Sequence, residues 1–166
     1  ELRDPRAGVD VVSVRLVVDA VTRVGALRVG VAGLGRIFSL HERGYRGRDD
    51  AAIVALFDPD PSRVAGHAAA YPGAVACPRF EDLLDAGLDL VEILSPHPFH
   101  AGQAVAAFER GLHVSVQKPM AMTLAEADRM IAAAKAAGRE LRVFENFRFY
   151  PPLVRMRELI AAGAIG

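Results

Sequence analysis

A pair of glycines at the end of the first apolar run constrains this chain more than any other feature. Leu27–Ala32 is a short apolar run that leads straight into Gly33-Leu34-Gly35. A run of that length without alternation predicts a strand buried on both faces, and the glycines predict a tight turn. Ile37 to Tyr45 then reads as a helix. Strand, glycine turn and helix in succession point to the first unit of a parallel sheet.

The rhythm repeats along the chain. Ala52–Phe57 reads as a strand closed by Asp58-Pro59-Asp60-Pro61, with a helix over Ser62–Tyr71. A weak strand near Val75 precedes a short helix over Phe80–Ala86, and Leu90–Leu94 is a clear strand ended by Ser95-Pro96. His100–Arg110 reads as a helix stopped at Gly111, and His113–Val116 as the next strand. Thr123 with Glu126 forms a capping-box pattern for a long helix ending at Gly138. Leu141–Phe144 is the last strand, and Pro152–Ala162 an amphipathic helix. Strands that are continuously apolar belong to a parallel sheet covered on both faces. The expected fold class is therefore α/β, a doubly wound parallel sheet built from right-handed crossovers.

Residues 1–26 read as an N-terminal extension. Val12, Val14, Leu16 and Val18 alternate as in a strand, while Val11, Val14, Val18 and Val21 fit a helix equally well. The reading leans to an added strand or an unstructured extension. Residues 27–150 form the expected main domain, and 151–166 the final helix.

Composition narrows the partners. With 166 residues the chain has room for one ordinary domain and too little for two. Lys plus Arg equals Asp plus Glu at 20 each, and a general phosphate-backbone binder carries a basic excess, so nucleic acid is not an expected partner. Cys77, the single cysteine, excludes an internal disulfide framework and a multi-cysteine zinc site. The longest stretches without charge, Val64–Pro78 and Ile93–Phe108, are too short to cross a bilayer. No secretory signal is visible either, since Arg15, Asp19 and Arg23 interrupt the first apolar stretch, so the cytoplasm is the expected location. A chain that begins at Glu1 and stops at Gly166 is also read as a trimmed or partial product.

Gly33-Leu34-Gly35-Arg36-Ile37-Phe38 stands where a dinucleotide-binding turn belongs. The first glycine permits the turn, and the second lets a pyrophosphate approach the backbone at the helix start. Asp58 ends the second strand about twenty residues later, where a carboxylate accepts hydrogen bonds from ribose hydroxyls and repels a 2′-phosphate. NAD is therefore expected in preference to NADP. Phe38 stands where a third small residue is usual, so its ring must splay the helix or point aside, and either weakens the cofactor site. Asp60, further into the loop, is a second candidate for the same role.

Later segments fall in register with these residues. They are Ser95-Pro96-His97-Pro98-Phe99-His100, Gly111-Leu112-His113-Val114 followed by Gln117-Lys118-Pro119, and Asn146-Phe147-Arg148-Phe149-Tyr150-Pro151. Together with the glycines they make the chain resemble the glucose–fructose oxidoreductase/inositol dehydrogenase (Gfo/Idh/MocA) family over roughly Leu27 to Gly166. The resemblance implies the Rossmann-type nucleotide-binding domain of a two-domain NAD(P)-dependent dehydrogenase acting on sugars, cyclitols or related alcohols. It also implies that the C-terminal α/β substrate domain, with its usual catalytic histidine, is largely absent from this chain. Within the turn it assigns Arg36 and Ile37 to the cofactor alongside the glycines. Ser95, Pro96 and His100 are assigned to the nicotinamide side, and Gln117 and Lys118, at the end of the fifth strand, to the cofactor as well. Lys118 is the implied catalytic group, its ammonium hydrogen-bonding the reacting oxygen. Gln117 departs from the family pattern, which has an acid there.

Asn146 and Arg148 follow the last strand and are candidates to meet substrate, with a salt bridge or helix cap as equal alternatives. His97 and His100 form an H-x-x-H pair, but without a third ligand nearby no metal is expected. His41, His67 and His113 read as surface or packing residues, and Lys135 as a solvated one. Phe144, Phe147, Phe149 and Tyr150 read as core or domain-interface aromatics, whose exposure in this chain predicts self-association or a partner chain. The leading reading is the nucleotide-binding domain of an oxidoreductase. Two alternatives stand beside it: a non-catalytic NAD-binding or partner-binding module, and an enzyme using transient oxidation to eliminate or hydrolyse a sugar derivative.

Overall fold

The computed structural model describes residues 25–165, so the strand-or-helix reading of residues 1–24 lies outside the described residues. Strands and helices alternate: β1 (Leu27–Ala32), α1 (Phe38–His41), β2 (Ala51–Phe57), α2 (Pro61–Ala68), β3 (Val75–Cys77) and α3 (Phe80–Leu84). They continue as β4 (Leu90–Ile93), α4 (His100–Glu109), β5 (His113–Gln117), α5 (Leu124–Ala137), β6 (Leu141–Phe144) and α6 (Pro151–Ala161). The six strands form one sheet in the order β3-β2-β1-β4-β5-β6, and every pairing is parallel. The order reverses between β1 and β4, which opens a crevice at the carboxyl ends of the strands.

The central strands are largely apolar because helices cover both faces, with Glu92 of β4 and Ser115 of β5 as buried polar exceptions. Toward α3, α4 and α5, Val91, Ile93, Val114 and Val116 pack with Leu83, Phe108 and Met130. Toward α1 and α2, Val29, Val31, Ile53 and Leu56 pack with Phe38 and Val64. Gly30 lets α3 and the turn after it approach β1, since a Cβ there would collide with Leu88 Cδ1 and crowd Leu83.

The capping box forms as expected: Thr123 Oγ1 accepts from the Glu126 N–H at 3.2 Å, and Glu126 Oε2 accepts from the Thr123 N–H at 3.0 Å. The first helix differs from expectation. It runs only Phe38–His41 and continues as a 3-10 turn over Glu42–Gly44. Gly44 and Gly47, so close together, remove the helix propensity that would carry it further. Of the two courses open to Phe38, the ring takes the second. It is fully buried in the core and meets His67 edge-on at 4.9 Å, pointing aside from the crevice.

Candidate cofactor cleft

An open cleft of about 340 Å³ lies at the carboxyl ends of β1, β2, β4 and β5. Gly33, Gly35, Arg36 and Ile37 line it from the first turn, Asp58 and Arg63 from the second strand and helix. Leu94, Ser95, Pro96 and His97 line it after β4, and Gln117 and Lys118 at the end of β5. Four segments widely separated in sequence thus meet at the switch point.

The two glycines serve different ends. Gly33 has φ +100°, and a Cβ there would lie 2.6 Å from the Ser95 backbone nitrogen, so the fold itself demands glycine. At Gly35 the nearest atom to an added Cβ is the Arg63 guanidinium at 3.7 Å. The space in front of Gly35 is cleft, open to a group that approaches the backbone closely.

Asp58 is buried at the rim of this space. One carboxylate oxygen accepts from the Leu34 N–H at 2.8 Å and the other from the Asp60 N–H at 2.9 Å. Each oxygen keeps a further lone pair for a ligand. Asp60 does not stand in for Asp58, since it caps α2 by accepting from the Ser62 N–H at 3.0 Å. The Ser62 hydroxyl and amide hold the Asp60 carboxyl below its ordinary range. Arg63 reaches back between the two acids, 3.5 Å from Asp58 and 3.6 Å from Asp60.

On the other side, the expected place of His100 needs correction. It is fully buried and does not line the cleft. Its ring nitrogens lie 2.8 Å from the Ser95 carbonyl and 2.9 Å from the Pro119 carbonyl, so it ties the loop after β4 to the loop after β5. His97, next to it at a ring separation of 5.6 Å, is the histidine that lines the cleft. Among the described residues no group of three or more His, Cys, Asp or Glu is placed to hold a metal ion.

Asn146 and Arg148 are also displaced from expectation. They lie on an exposed 3-10 turn after β6 and are absent from the cleft lining, because β6 is the outermost strand on that side of the sheet.

Lys118 is exposed at the mouth of the cleft, and its backbone N–H donates to Gln117 Oε1 at 2.7 Å. Behind it runs a set of residues whose connection the sequence did not reveal. Gln117 Nε2 lies 2.9 Å from His41 Nε2, and His41 Nδ1 lies 2.6 Å from Glu92. The Tyr45 hydroxyl donates to the other Glu92 oxygen at 2.7 Å. Burial, and after it the Glu92 carboxylate, pushes the Tyr45 phenol far above its ordinary value, so it remains a donor. The available signal was Glu92 itself, a charge inside a strand otherwise buried on both faces. Arg63 carried a signal too, as the one basic residue in the first turns of the helix after Asp58.

Fold and cleft together define a doubly wound α/β domain with a nucleotide-type crevice at its switch point. A profile of the oxidoreductase family with an NAD-binding Rossmann fold (GFO_IDH_MocA) matches residues 27–145. The chain is 38% identical over 141 residues to the 1-carboxy-3-chloro-3,4-dihydroxycyclohexa-1,5-diene dehydrogenase of Comamonas testosteroni, covering 84% of this chain and 36% of that protein. It is 36% identical over 143 residues to the inositol 2-dehydrogenase of Leifsonia xyli, covering 84% of this chain and 42% of that one. Among solved structures it resembles the WlbA dehydrogenase of Bordetella pertussis in complex with NADH and UDP-GlcNAcA. That likeness has a TM-score of 0.75 at 29% identity and covers 86% of this chain and 42% of the other. The chain belongs to the Gfo/Idh/MocA family of oxidoreductases, as an NAD-binding Rossmann domain. It spans 36% to 42% of the length of these relatives. No helix among the described residues is long and apolar enough to cross a membrane.

Proposed function

We propose that this domain serves an oxidoreductase that moves a hydride between NAD and a sugar, cyclitol or related alcohol, with Lys118 at the reacting oxygen. The observation that carries this reading is the meeting of Gly35, Asp58, Ser95–Pro96 and Lys118 on one cleft at the switch point. The named relatives support the substrate class, since they act on inositol and on a dihydroxylated ring or are solved with a sugar nucleotide.

The residues present fit a dinucleotide. Arg36 and Ile37 flank the open space at Gly35, which suits a pyrophosphate, and the remaining lone pairs of Asp58 suit the ribose hydroxyls. NAD is preferred over NADP because Asp58 repels a 2′-phosphate and because Arg63, already paired to two carboxylates, has little charge left to attract one. Ser95 and Pro96 border the nicotinamide end, and bound nicotinamide supplies the hydride acceptor. Lys118 donates a hydrogen bond to the alcohol oxygen, stabilising negative charge as the hydride departs. Asn146 and Arg148, outside the cleft, reach only a substrate that extends past Lys118 toward β6.

Calorimetric titration with NAD⁺ and NADP⁺ tests this reading, and the chain contains no tryptophan to serve as a fluorescent reporter instead. NAD⁺ is expected to bind more tightly. Asp58→Ala is expected to weaken it about tenfold, the scale of a charge-assisted hydrogen bond, and to narrow the gap to NADP⁺ by releasing Arg63. Absence of binding by either nucleotide in the full-length protein sinks the reading.

A further inference from the structure

We propose that His41 is a positioning residue for Lys118, acting through Gln117 and oriented by Glu92. The hydrogen bonds of this chain have a direction, and its two ends fix that direction. At one end the Lys118 backbone N–H can only donate, so the Gln117 atom 2.7 Å away must be the carboxamide oxygen. The Gln117 NH₂ group therefore faces His41 Nε2 at 2.9 Å and must donate to it. At the other end the Glu92 carboxylate can only accept, from the Tyr45 hydroxyl and from His41 Nδ1–H at 2.6 Å. A single state satisfies both ends: neutral His41, protonated on Nδ1 and bare on Nε2.

The surroundings make that state hard to escape. The Glu92 side chain is 1% exposed and that of His41 10%. The imidazole also stands nearly perpendicular to the Phe144 ring, with centroids 4.3 Å apart, so α1, β4, β5 and β6 all hold one ring. No buried side-chain polar atom among the described residues is left without a partner. An amide whose two ends are assigned in this way cannot flip, and the strand end carrying Lys118 is held with it. The chain also accounts for glutamine at position 117. With Glu92 already present, a second carboxylate there would clamp His41 between two acceptors. In the Gln-Lys-Pro form the negative charge sits one imidazole away from Lys118 rather than beside it.

The consequence for turnover rests on the reading of Lys118 given above, whereas the hydrogen-bond polarity does not. Long-range ¹H–¹⁵N NMR of the histidine rings in the full-length protein tests the polarity directly. The expected result is His41 protonated on Nδ1 alone. Gln117→Glu is expected to protonate both ring nitrogens, because acceptors then face each. Adding Glu92→Gln to that variant is expected to give the opposite neutral tautomer, protonated on Nε2 alone. A wild-type ring bearing its proton on Nε2, or protonated on both nitrogens, overturns the proposal whatever the variants do.

His41→Phe, which keeps the ring against Phe144, is expected to speed hydrogen exchange of the Lys118 amide about tenfold, the scale of one lost net hydrogen bond. It is also expected to lower kcat about tenfold with the KM for NAD⁺ unchanged, as loss of positioning does. Unchanged exchange at Lys118 in a folded His41→Phe protein also overturns the proposal. If Lys118→Ala leaves turnover intact, the catalytic reading of Lys118 has failed, and the tautomer series still decides the relay. Should His41→Phe fail to fold, the wild-type tautomer and the two position-117 variants decide it.

Discussion

The centre of the sheet and its β6 edge are written in the same kind of sequence and end in different environments. Val114 and Val116 on β5 have no exposed surface, whereas Phe144 on the neighbouring β6 is 38% exposed. The difference continues past the strand. Phe149 is 76% exposed, and α6, amphipathic by sequence, buries none of its residues fully. An apolar run therefore states what a segment needs and not whether this chain provides it. In the centre the need is met by α3, α4 and α5 on one face and α1 and α2 on the other. At the edge large apolar side chains remain exposed on β6, the turn after it and α6, among them Phe144, Phe147, Phe149, Tyr150, Leu153, Met156 and Ile160.

The largest expected effect probes the centre at its tightest point. Gly33→Ala must place a Cβ against the Ser95 backbone in a left-handed conformation, and is expected to destabilise the domain by about 3 kcal/mol or more. Urea denaturation measures it, and a loss under about 1 kcal/mol would mean that the β1 turn and the β4 loop are less closely packed than the structure has them. Ile93→Ala, at a fully buried position, is expected to cost about 2–5 kcal/mol, while Ile160→Ser on α6 stays within about 0.5. Equal losses at the two positions would erase the comparison.

The edge surface sharpens it in another way. The proposal that copies of this chain associate through that surface predicts concentration-dependent sedimentation, reduced by Phe149→Ser, Met156→Ser and Ile160→Ser together, with NAD⁺ affinity unchanged. A strictly monomeric parent at high concentration rules it out.

The smallest effect lies where centre meets edge. His113 on β5 accepts at Nδ1 from the Glu140 N–H at 3.1 Å, just before β6. Burial, followed by the Arg139 charge, lowers its pKa below the ordinary 6.5. The folded state therefore holds a proton there less readily than the unfolded state. The associated stability is complete above the unfolded value and is lost as pH falls through the folded one. His113→Gln is expected to flatten the acid side of the stability profile below about pH 6.5. An unchanged slope would show that the residue does not link protonation to folding.

Much of the fold was legible because it rests on local patterns. Continuous apolar strands, the glycine turn, the Thr123–Glu126 cap and Gly138 each state a backbone requirement within a few residues, and each is met. The end of the first helix lay in the local pair Gly44 and Gly47, whereas the entry of Phe38 into the core and the convergence of His41 and Tyr45 on Glu92 of β4 were not legible. His100 was misplaced for a similar reason. It follows the cleft-lining Ser95–His97 in the chain, but its ring turns inward to two carbonyls that only the packing of two loops brings together.

The sequence by itself determined the architecture and the type of cleft: a parallel sheet, a backbone turn built for close approach, an acid after β2 and a lysine after β5. These follow from residue type and spacing along the chain. Tertiary structure alone decided which side chains face that cleft, which lie behind it, and how Gln117 is oriented beside Lys118. Those outcomes depend on hydrogen-bond partners separated by 51 and 76 residues, and burial forces such partners to satisfy one another in a single arrangement.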